Sequence, residues 1–141
     1  MDYKKEYVTR KRIKDGDVFF YPDWSPKYPV NRYLITKSVP SRPGLFKLYY
    51  KSSDGKVRLF YMERVWYGGL RSEIRRASDP YEVSDRTRRA VLAKHKCFYS
   101  YTIVESKLDM RDLLYGYSQR LLPEQEPPAA SGRYEKIFID D

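Results

Sequence analysis

The fold is decided by residues 45–62, LFKLYYKSSDGKVRLFYM. Two segments rich in β-branched, aromatic and apolar residues flank the tetrapeptide SSDG at 52–55, and an Asp-Gly pair tolerates the positive φ that short hairpin turns require. The pattern predicts a β-hairpin whose strands cover residues 45–51 and 56–62.

The two faces of this hairpin differ in chemistry. A loop of two or four residues places alternate side chains of both strands on common faces. One face is predicted to be core: Phe46, Leu48, Tyr50, Val57, Leu59 and Tyr61. The opposite face is basic and aromatic: Lys47, Tyr49, Lys51, Arg58, Phe60 and Met62. Such a face suits cation–π pairing within the sheet and, equally, the stacking of bases over a positive surface.

Further strands and helices are predicted on both sides of the hairpin. Strand propensity is high in three more segments: 18–21, 32–37 and 98–104. A short helical turn is predicted around 72–77, and two helices are predicted, one from Ser84 or Asp85 to about Lys96 and one over 106–121. Side-chain oxygens of Ser and Asp cap the first helical turn, and Ser106 with Asp109 matches a capping box. Gly68-Gly69 is predicted to end a strand.

This order of elements indicates an α+β fold, either a small twisted antiparallel sheet or an SH3-like partial barrel, with two packed helices. The predicted organisation has four parts: a basic N-terminal arm at 1–14, a single globular α+β domain at 15–122, a linker at 123–133 and an acidic, strand-like tail at 134–141. The tail can return to the sheet as an edge strand or add to a partner's sheet. It can also occupy a basic site until a stronger anion displaces it, or remain solvated.

Basic residues and tyrosines are interleaved along the chain. The 141 residues include 28 Lys and Arg, 19 Asp and Glu and 15 Tyr, with a formal net charge of +9. This charge favours an anionic partner, and Tyr beside Arg or Lys suits stacking and cation–π contact. Residues 64–96 carry nine basic against four acidic side chains, whereas residues 122–141 carry five acidic and two basic ones.

The composition argues against common enzyme chemistries. One His and one Cys, His95 and Cys97, provide neither a zinc ligand set nor a nucleophile supported by a second His, so no metal, no cofactor and no catalytic residue is predicted. A single cysteine forms no internal disulfide, which predicts a reducing, cytoplasmic location. No apolar stretch of membrane-spanning length occurs, so no membrane partner is expected. The triplet Glu105-Ser106-Lys107, with Asp23 as a further acid, keeps a metal-dependent nuclease as a third hypothesis.

The leading hypothesis is a non-enzymatic nucleic-acid-binding protein with DNA or RNA as its partner. Its predicted surface joins a stacking sheet face and an arginine-rich flank: Lys47, Tyr49, Lys51, Arg58, Phe60, Arg71, Arg75, Arg76, Arg86 and Arg89. The alternative is a protein-interaction module, an adaptor or inhibitor that docks an acidic protein partner. Its predicted contacts are loop and tail aromatics: Trp24, Tyr28, Tyr33, Tyr134 and Phe138. Oligomeric state is left open.

Overall fold

A computed structural model describes residues 6–121 and 125–141. Within these residues the chain is an α+β protein with two small sheets and four helices, where the sequence predicted two helices. The strands are β1 (Arg10–Lys14), β2 (Asp17–Tyr21), β3 (Tyr28–Pro29), β4 (Gly44–Lys51), β5 (Val57–Val65), β6 (Cys97–Ile103) and β7 (Ile137–Ile139). The helices are α1 (Arg32–Ser38), α2 (Gly69–Ala77), α3 (Arg86–Lys94) and α4 (Lys107–Arg120).

The larger sheet has the order β3-β6-β4-β5 and is antiparallel throughout. The smaller sheet has the order β1-β2-β7, in which β7 runs parallel to β2. The two sheets do not close into a barrel in the described part of the chain, so the α+β class is confirmed and the SH3-like alternative is not.

Strand β4 is buried on both faces, because different elements cover each side. Every residue from Gly44 to Tyr49 is buried. One face contributes to a core with α1 and α2: Ile35, Val39, Phe46, Leu48, Val65, Leu70, Ile74, Ala77, Tyr99, Tyr101 and Ile103. The other contributes to a core with β2 and α4: Val18, Phe20, Leu45, Met62, Val104, Met110, Leu113, Leu114 and Tyr117. From Gly44 to Tyr49, neither face of β4 is therefore open to solvent.

The hairpin is confirmed, but its predicted register is wrong near the turn. Lys51 pairs with Val57, so an odd number of residues separates the strands and Tyr50 lies opposite Arg58. A β-bulge then shifts the register between Leu48 and Tyr49, so Leu48 pairs with Tyr61. These two side chains therefore share a face, as predicted. Because side chains alternate with a period of two, the odd loop moves Val57 and Leu59 off the predicted core face.

Residues 32–37 form a helix, not the predicted strand. The side chain of Asn31 accepts a hydrogen bond from the Leu34 amide at 3.1 Å and caps α1. Ile35 is the one buried side chain of this helix, and it packs in the core beside α2. The β-branched and aromatic residues favoured a strand locally, but packing against α2 and the cap favour the helix.

The other predicted elements are present with small shifts of boundary. Asp85 caps α3 by accepting a hydrogen bond from the Arg88 amide at 2.9 Å, and Ser106 caps α4. Gly69, with φ of 77°, ends the strand region as predicted; a Cβ there would lie 2.7 Å from the Ser41 carbonyl carbon. A side chain at this position would therefore collide with backbone.

Both ends of the described chain join the smaller sheet. The predicted N-terminal arm contains β1, although all five of its residues are exposed. The predicted tail contains β7, which packs against α4 closely enough that a Cβ on Gly116 would lie 2.8 Å from Ile139 Cδ1. In the predicted linker, residues 123 and 124 lie outside the described residues and 125–133 form no helix or strand. Among the described helices, none has the length and apolar character to cross a membrane.

Candidate functional site

The predicted stacking face does not exist as an exposed surface. Lys47 and Tyr49 are 8% and 9% exposed. Lys51 and Arg58 are exposed near the hairpin turn, and Phe60 packs on the other side of the sheet with its ring 5.8 Å from that of Tyr50. The five residues predicted to share one open face are therefore divided between the interior and two sides of the sheet.

Lys47 lies in an aromatic enclosure. Its Nζ is 4.0 Å from the ring centroid of Trp24 and 4.9 Å from that of Tyr117. Trp24 Nε1 donates a 2.9 Å hydrogen bond to the Tyr117 hydroxyl, which fixes the two rings relative to each other. We use the name Lys47 cluster for a set of six residues: Lys47, Trp24, Tyr117, Tyr49, Arg120 and Asp141.

Burial lowers the pKa of Lys47 from 10.5 to about 8. Loss of water disfavours the ammonium form, and the neighbouring cations Lys27 and Arg120 lower the pKa further, against the opposing charge of Asp141. Burial likewise raises the pKa of Tyr49 and of Tyr117. The cluster therefore holds a buried ammonium among neutral phenols.

The predicted arginine flank is divided by local contacts. Arg71 Nε donates to the Val39 carbonyl at 2.7 Å, and Arg89 Nε donates to the Val83 carbonyl at 2.8 Å. Arg76 forms an ion pair with Glu73, and Arg86 is exposed. Arg75 lines a cleft of about 230 Å³ that also contains Asp79 and Glu82, so acids accompany its charge.

The loop aromatics of the alternative hypothesis are mostly structural. Trp24 covers Lys47, and the Tyr28 ring lies 5.7 Å from that of Tyr99 in the core. Tyr33 is exposed on α1, and Tyr134 is partly buried against the second core. Phe138 is 43% exposed on the edge strand β7, with its ring stacked on Phe19 at 4.9 Å. The fold does not bring these five residues together.

A groove of different composition lies where β5 ends beside α4. It has a volume of about 620 Å³. Its functional side chains, which define what we call the Trp66 groove, are Arg64, Trp66, Tyr67, Lys107, Leu108 and Arg111. Lys107 Nζ lies 5.2 Å from the ring centroid of Trp66 and 4.8 Å from that of Tyr67. It also donates a 3.3 Å hydrogen bond to the Tyr67 hydroxyl.

The groove combines exposed rings with cations that no carboxylate neutralises directly. Tyr67 is 83% exposed and Trp66 is 38% exposed. Within the described residues, no carboxylate oxygen lies within 4.0 Å of a side-chain nitrogen of Arg64, Lys107 or Arg111. This arrangement can stack a planar group and attract an anionic one.

The two acids that line the groove already have partners. Glu63 accepts a hydrogen bond from the Tyr61 hydroxyl at 3.1 Å and one from the Arg64 amide at 2.9 Å. Glu73 is paired with Arg76. Both carboxylates are therefore occupied by groups other than the groove cations.

Sequence reasoning missed this groove. The sequence predicts Trp66 and Tyr67 at the end of the strand that Gly68-Gly69 breaks, and Lys107 at the start of a helix. The usable signal was two aromatic residues directly before Gly68-Gly69, since a strand that leaves the sheet there carries its last side chains beyond the core. A second signal was the spacing of Lys107 and Arg111, which puts two cations on one face of α4.

The nuclease constellation is not assembled in the described chain. Glu105 pairs with Arg42, and Lys107 points into the Trp66 groove. Among the described residues, no group of three or more His, Cys, Asp or Glu side chains is placed to hold a metal ion. Burial raises the pKa of Cys97 to about 11, so its thiol stays protonated at neutral pH.

Fold and groove together define a small basic α+β protein with an exposed aromatic and cationic groove. The chain belongs to a protein family whose model matches residues 8–141 and carries the description "Uncharacterised protein". Comparison with curated proteins and with solved structures gave no match. Membership of this family assigns no ligand, so the functional argument depends on the groove.

Proposed function

We propose that this protein binds single-stranded nucleic acid through the Trp66 groove, without catalysing a reaction. The observation that carries the proposal is the meeting of exposed Trp66 and Tyr67 with three cations that have no carboxylate partner within 4.0 Å in the described chain. The proposal keeps the basic and aromatic surface that the sequence predicted. That surface lies at the end of β5 and not on the sheet face.

The rings supply the contact to bases. An unpaired base has two flat faces and stacks on an aromatic side chain for about 1–3 kcal/mol, whatever its identity. Tyr67 is 83% exposed, so most of its ring is accessible although Lys107 approaches it. Paired bases in a duplex are already stacked on each other, which is why the groove favours a single strand.

The cations supply the contact to the backbone. Arg64, Lys107 and Arg111 line the same groove as the rings. Arg111 Nε also donates a 2.8 Å hydrogen bond to the Ala129 carbonyl, whereas Lys107 lies directly over the rings. Each phosphate that a cation neutralises releases a condensed counterion, so affinity falls steeply as salt increases. The net charge of +9 adds long-range attraction for the same polyanion.

The test is fluorescence anisotropy of a labelled 12-nucleotide oligo(dT) and of a duplex of equal length, across salt from roughly 50 to 300 mM. We expect Tyr67→Ala to weaken single-strand binding by about 1–3 kcal/mol. The matched control is Tyr81→Ala, because Tyr81 is 96% exposed but lies outside the groove. Equal affinities of the two variants would reject the groove as the binding surface, and absence of binding at the lowest salt would reject the function.

One observation favours a protein-interaction module as the second candidate. Strand β7 pairs on one side with β2, and its other edge is the edge of the smaller sheet. An extended partner can add a strand there, with Phe138 as its side-chain anchor. This candidate predicts a partner whose affinity depends weakly on salt and is lost in Phe138→Asp, whereas Tyr67→Ala leaves it unchanged.

A further inference from the structure

The Lys47 cluster holds more positive than negative charge around one carboxylate. The side chain of Asp141 accepts a 2.5 Å hydrogen bond from the Tyr117 hydroxyl and lies 3.6 Å from the Arg120 guanidinium. Lys47 adds a second positive charge to the cluster, and the positive charge of Lys27 lies near enough to lower the pKa of Lys47. The Asp141 side chain carries a single negative charge, so it compensates only part of the positive charge of Arg120, Lys47 and Lys27.

The Lys47 residue is 8% exposed. Among the described residues, no carboxylate, hydroxyl or carbonyl oxygen accepts a hydrogen bond from its Nζ, which faces the two rings instead. An ammonium has three donors, and burial without an acceptor is unfavourable. The rings of Trp24 and Tyr117 offset only part of that cost. The donors of this ammonium are therefore available to a further acceptor.

Asp141 lies on the side of the Lys47 cluster that faces solvent. Its side chain is 26% exposed, and that of Arg120 is 51% exposed, so an anion from solution can reach both. Asp141 lies two residues beyond the end of β7, and the Asp140 amide donates to the Phe20 carbonyl at 2.9 Å. Because Asp141 lies beyond the last residue of β7, its side chain can be displaced without unpairing β7 from β2.

We propose that the Lys47 cluster is a binding site for the phosphate group of a small phosphorylated molecule, and that the Asp141 carboxylate occupies it in the absence of that ligand. A phosphate dianion carries about twice the charge of a carboxylate and has more acceptor oxygens. It can accept from Tyr117 and Arg120 and still offer an oxygen to Lys47. This site is separate from the Trp66 groove, and the inference does not depend on nucleic-acid binding.

The experiment titrates inorganic phosphate at constant ionic strength and follows Trp24 fluorescence. The chain has two tryptophans, so Trp66→Phe leaves Trp24 as the reporter inside the cluster. In that background we expect Asp141→Asn to bind phosphate about tenfold more tightly than Asp141 does, because an intramolecular competitor has been removed. The control is Asp140→Asn, which removes the same charge from the neighbouring residue. Equal affinities of the Asp141→Asn and Asp140→Asn variants would overturn the proposal.

Two further variants test the cations, each made together with Asp141→Asn. Lys47→Met should weaken phosphate binding at least about tenfold, as loss of a charged donor predicts. Arg120→Gln gives a second test with little risk to folding, because Arg120 is on the surface. Undiminished binding in both variants would reject the site. Tyr67→Ala should leave phosphate binding unchanged, so failure of this proposal is distinguishable from failure of the nucleic-acid proposal.

Discussion

The same three side chains, a lysine over a tryptophan and a tyrosine, occur twice in this molecule with opposite surroundings. Lys47 lies over Trp24 and Tyr117 in the interior, whereas Lys107 lies over Trp66 and Tyr67 at the surface. Burial lowers the pKa of Lys47 to about 8. The comparison indicates that exposure, and not the residue types, decides whether the lysine of such a group carries a desolvation cost.

The largest expected difference between the two groups is in the cost of removing the tryptophan. Trp24→Ala should lower the free energy of unfolding by about 3 kcal/mol, because Trp24 packs against the second core and hydrogen-bonds to Tyr117. Trp66→Ala should lower it by less than about 1 kcal/mol. Urea denaturation of both variants measures the difference, and similar losses would show that the groove is as structural as the cluster.

A smaller difference is expected from removing the lysine charge. Lys47→Met should raise the free energy of unfolding at pH 7 by about 1–2 kcal/mol, because an ammonium without an acceptor leaves the interior and the methionine keeps the packing. Lys107→Met should change it by less than about 0.5 kcal/mol, since that ammonium is solvated. Denaturation curves at pH 7 compare the pair. Destabilisation by Lys47→Met would mean that the rings fully compensate the buried charge.

The gain from Lys47→Met should depend on pH. The pKa of Lys47 is about 8 in the folded protein and 10.5 ordinarily, so between these values the unfolded chain binds more protons and the stability of the parent protein rises with pH. The advantage of the variant is therefore complete below pH 8 and shrinks toward pH 10. Raised pKa values, such as that of Cys97 at about 11, act in the opposite direction but equally in both proteins. A gain that stays constant from pH 7 to pH 10 would contradict the assignment.

The smallest expected effect separates the ring of Tyr67 from its hydroxyl. Tyr67→Phe removes the 3.3 Å hydrogen bond from Lys107 but keeps the aromatic face. Stability should change by less than about 0.5 kcal/mol, and oligo(dT) affinity should stay within about twofold, because an exposed hydrogen bond exchanges readily with water. Anisotropy of this variant beside Tyr67→Ala makes the comparison. Equal losses in both would assign the contact to the hydroxyl and not to stacking.

Much of the fold was predictable where a local signal agrees with the tertiary environment. The Asp-Gly turn and the Ser106 cap appear as expected. Of the alternatives that the sequence left open, Asp85 is the cap of α3, and the tail joins the smaller sheet as β7. The helix at Arg32–Ser38 was not predictable in this way, because its local residues favour a strand. Only the packing of Ile35 beside α2 selects the helix. The register near the turn failed because an odd loop and a bulge leave no sequence signature as strong as the turn itself.

The candidate sites were predicted in composition but not in location. The expected partnership of lysine with aromatic rings exists, yet Lys47 and Tyr49 lie in the interior. Alternation along β4 predicted a solvent side, and the smaller sheet and α4 cover that side. Trp66, Tyr67 and Lys107 come together from segments about forty residues apart, as the 3.3 Å contact of Lys107 with Tyr67 shows. Neither segment alone carries a sequence pattern that predicts this contact.

By itself, the sequence determined the net charge of +9, the abundance of tyrosine, the central hairpin and the α+β class. These properties depend on residue counts and on interactions within a few residues, so neighbours along the chain suffice to specify them. Only the tertiary structure decided which lysine is buried and which aromatic pair is exposed. The reason is that burial depends on what packs against a strand from the rest of the chain, and here a second sheet and a helix cover the face that would otherwise have met solvent.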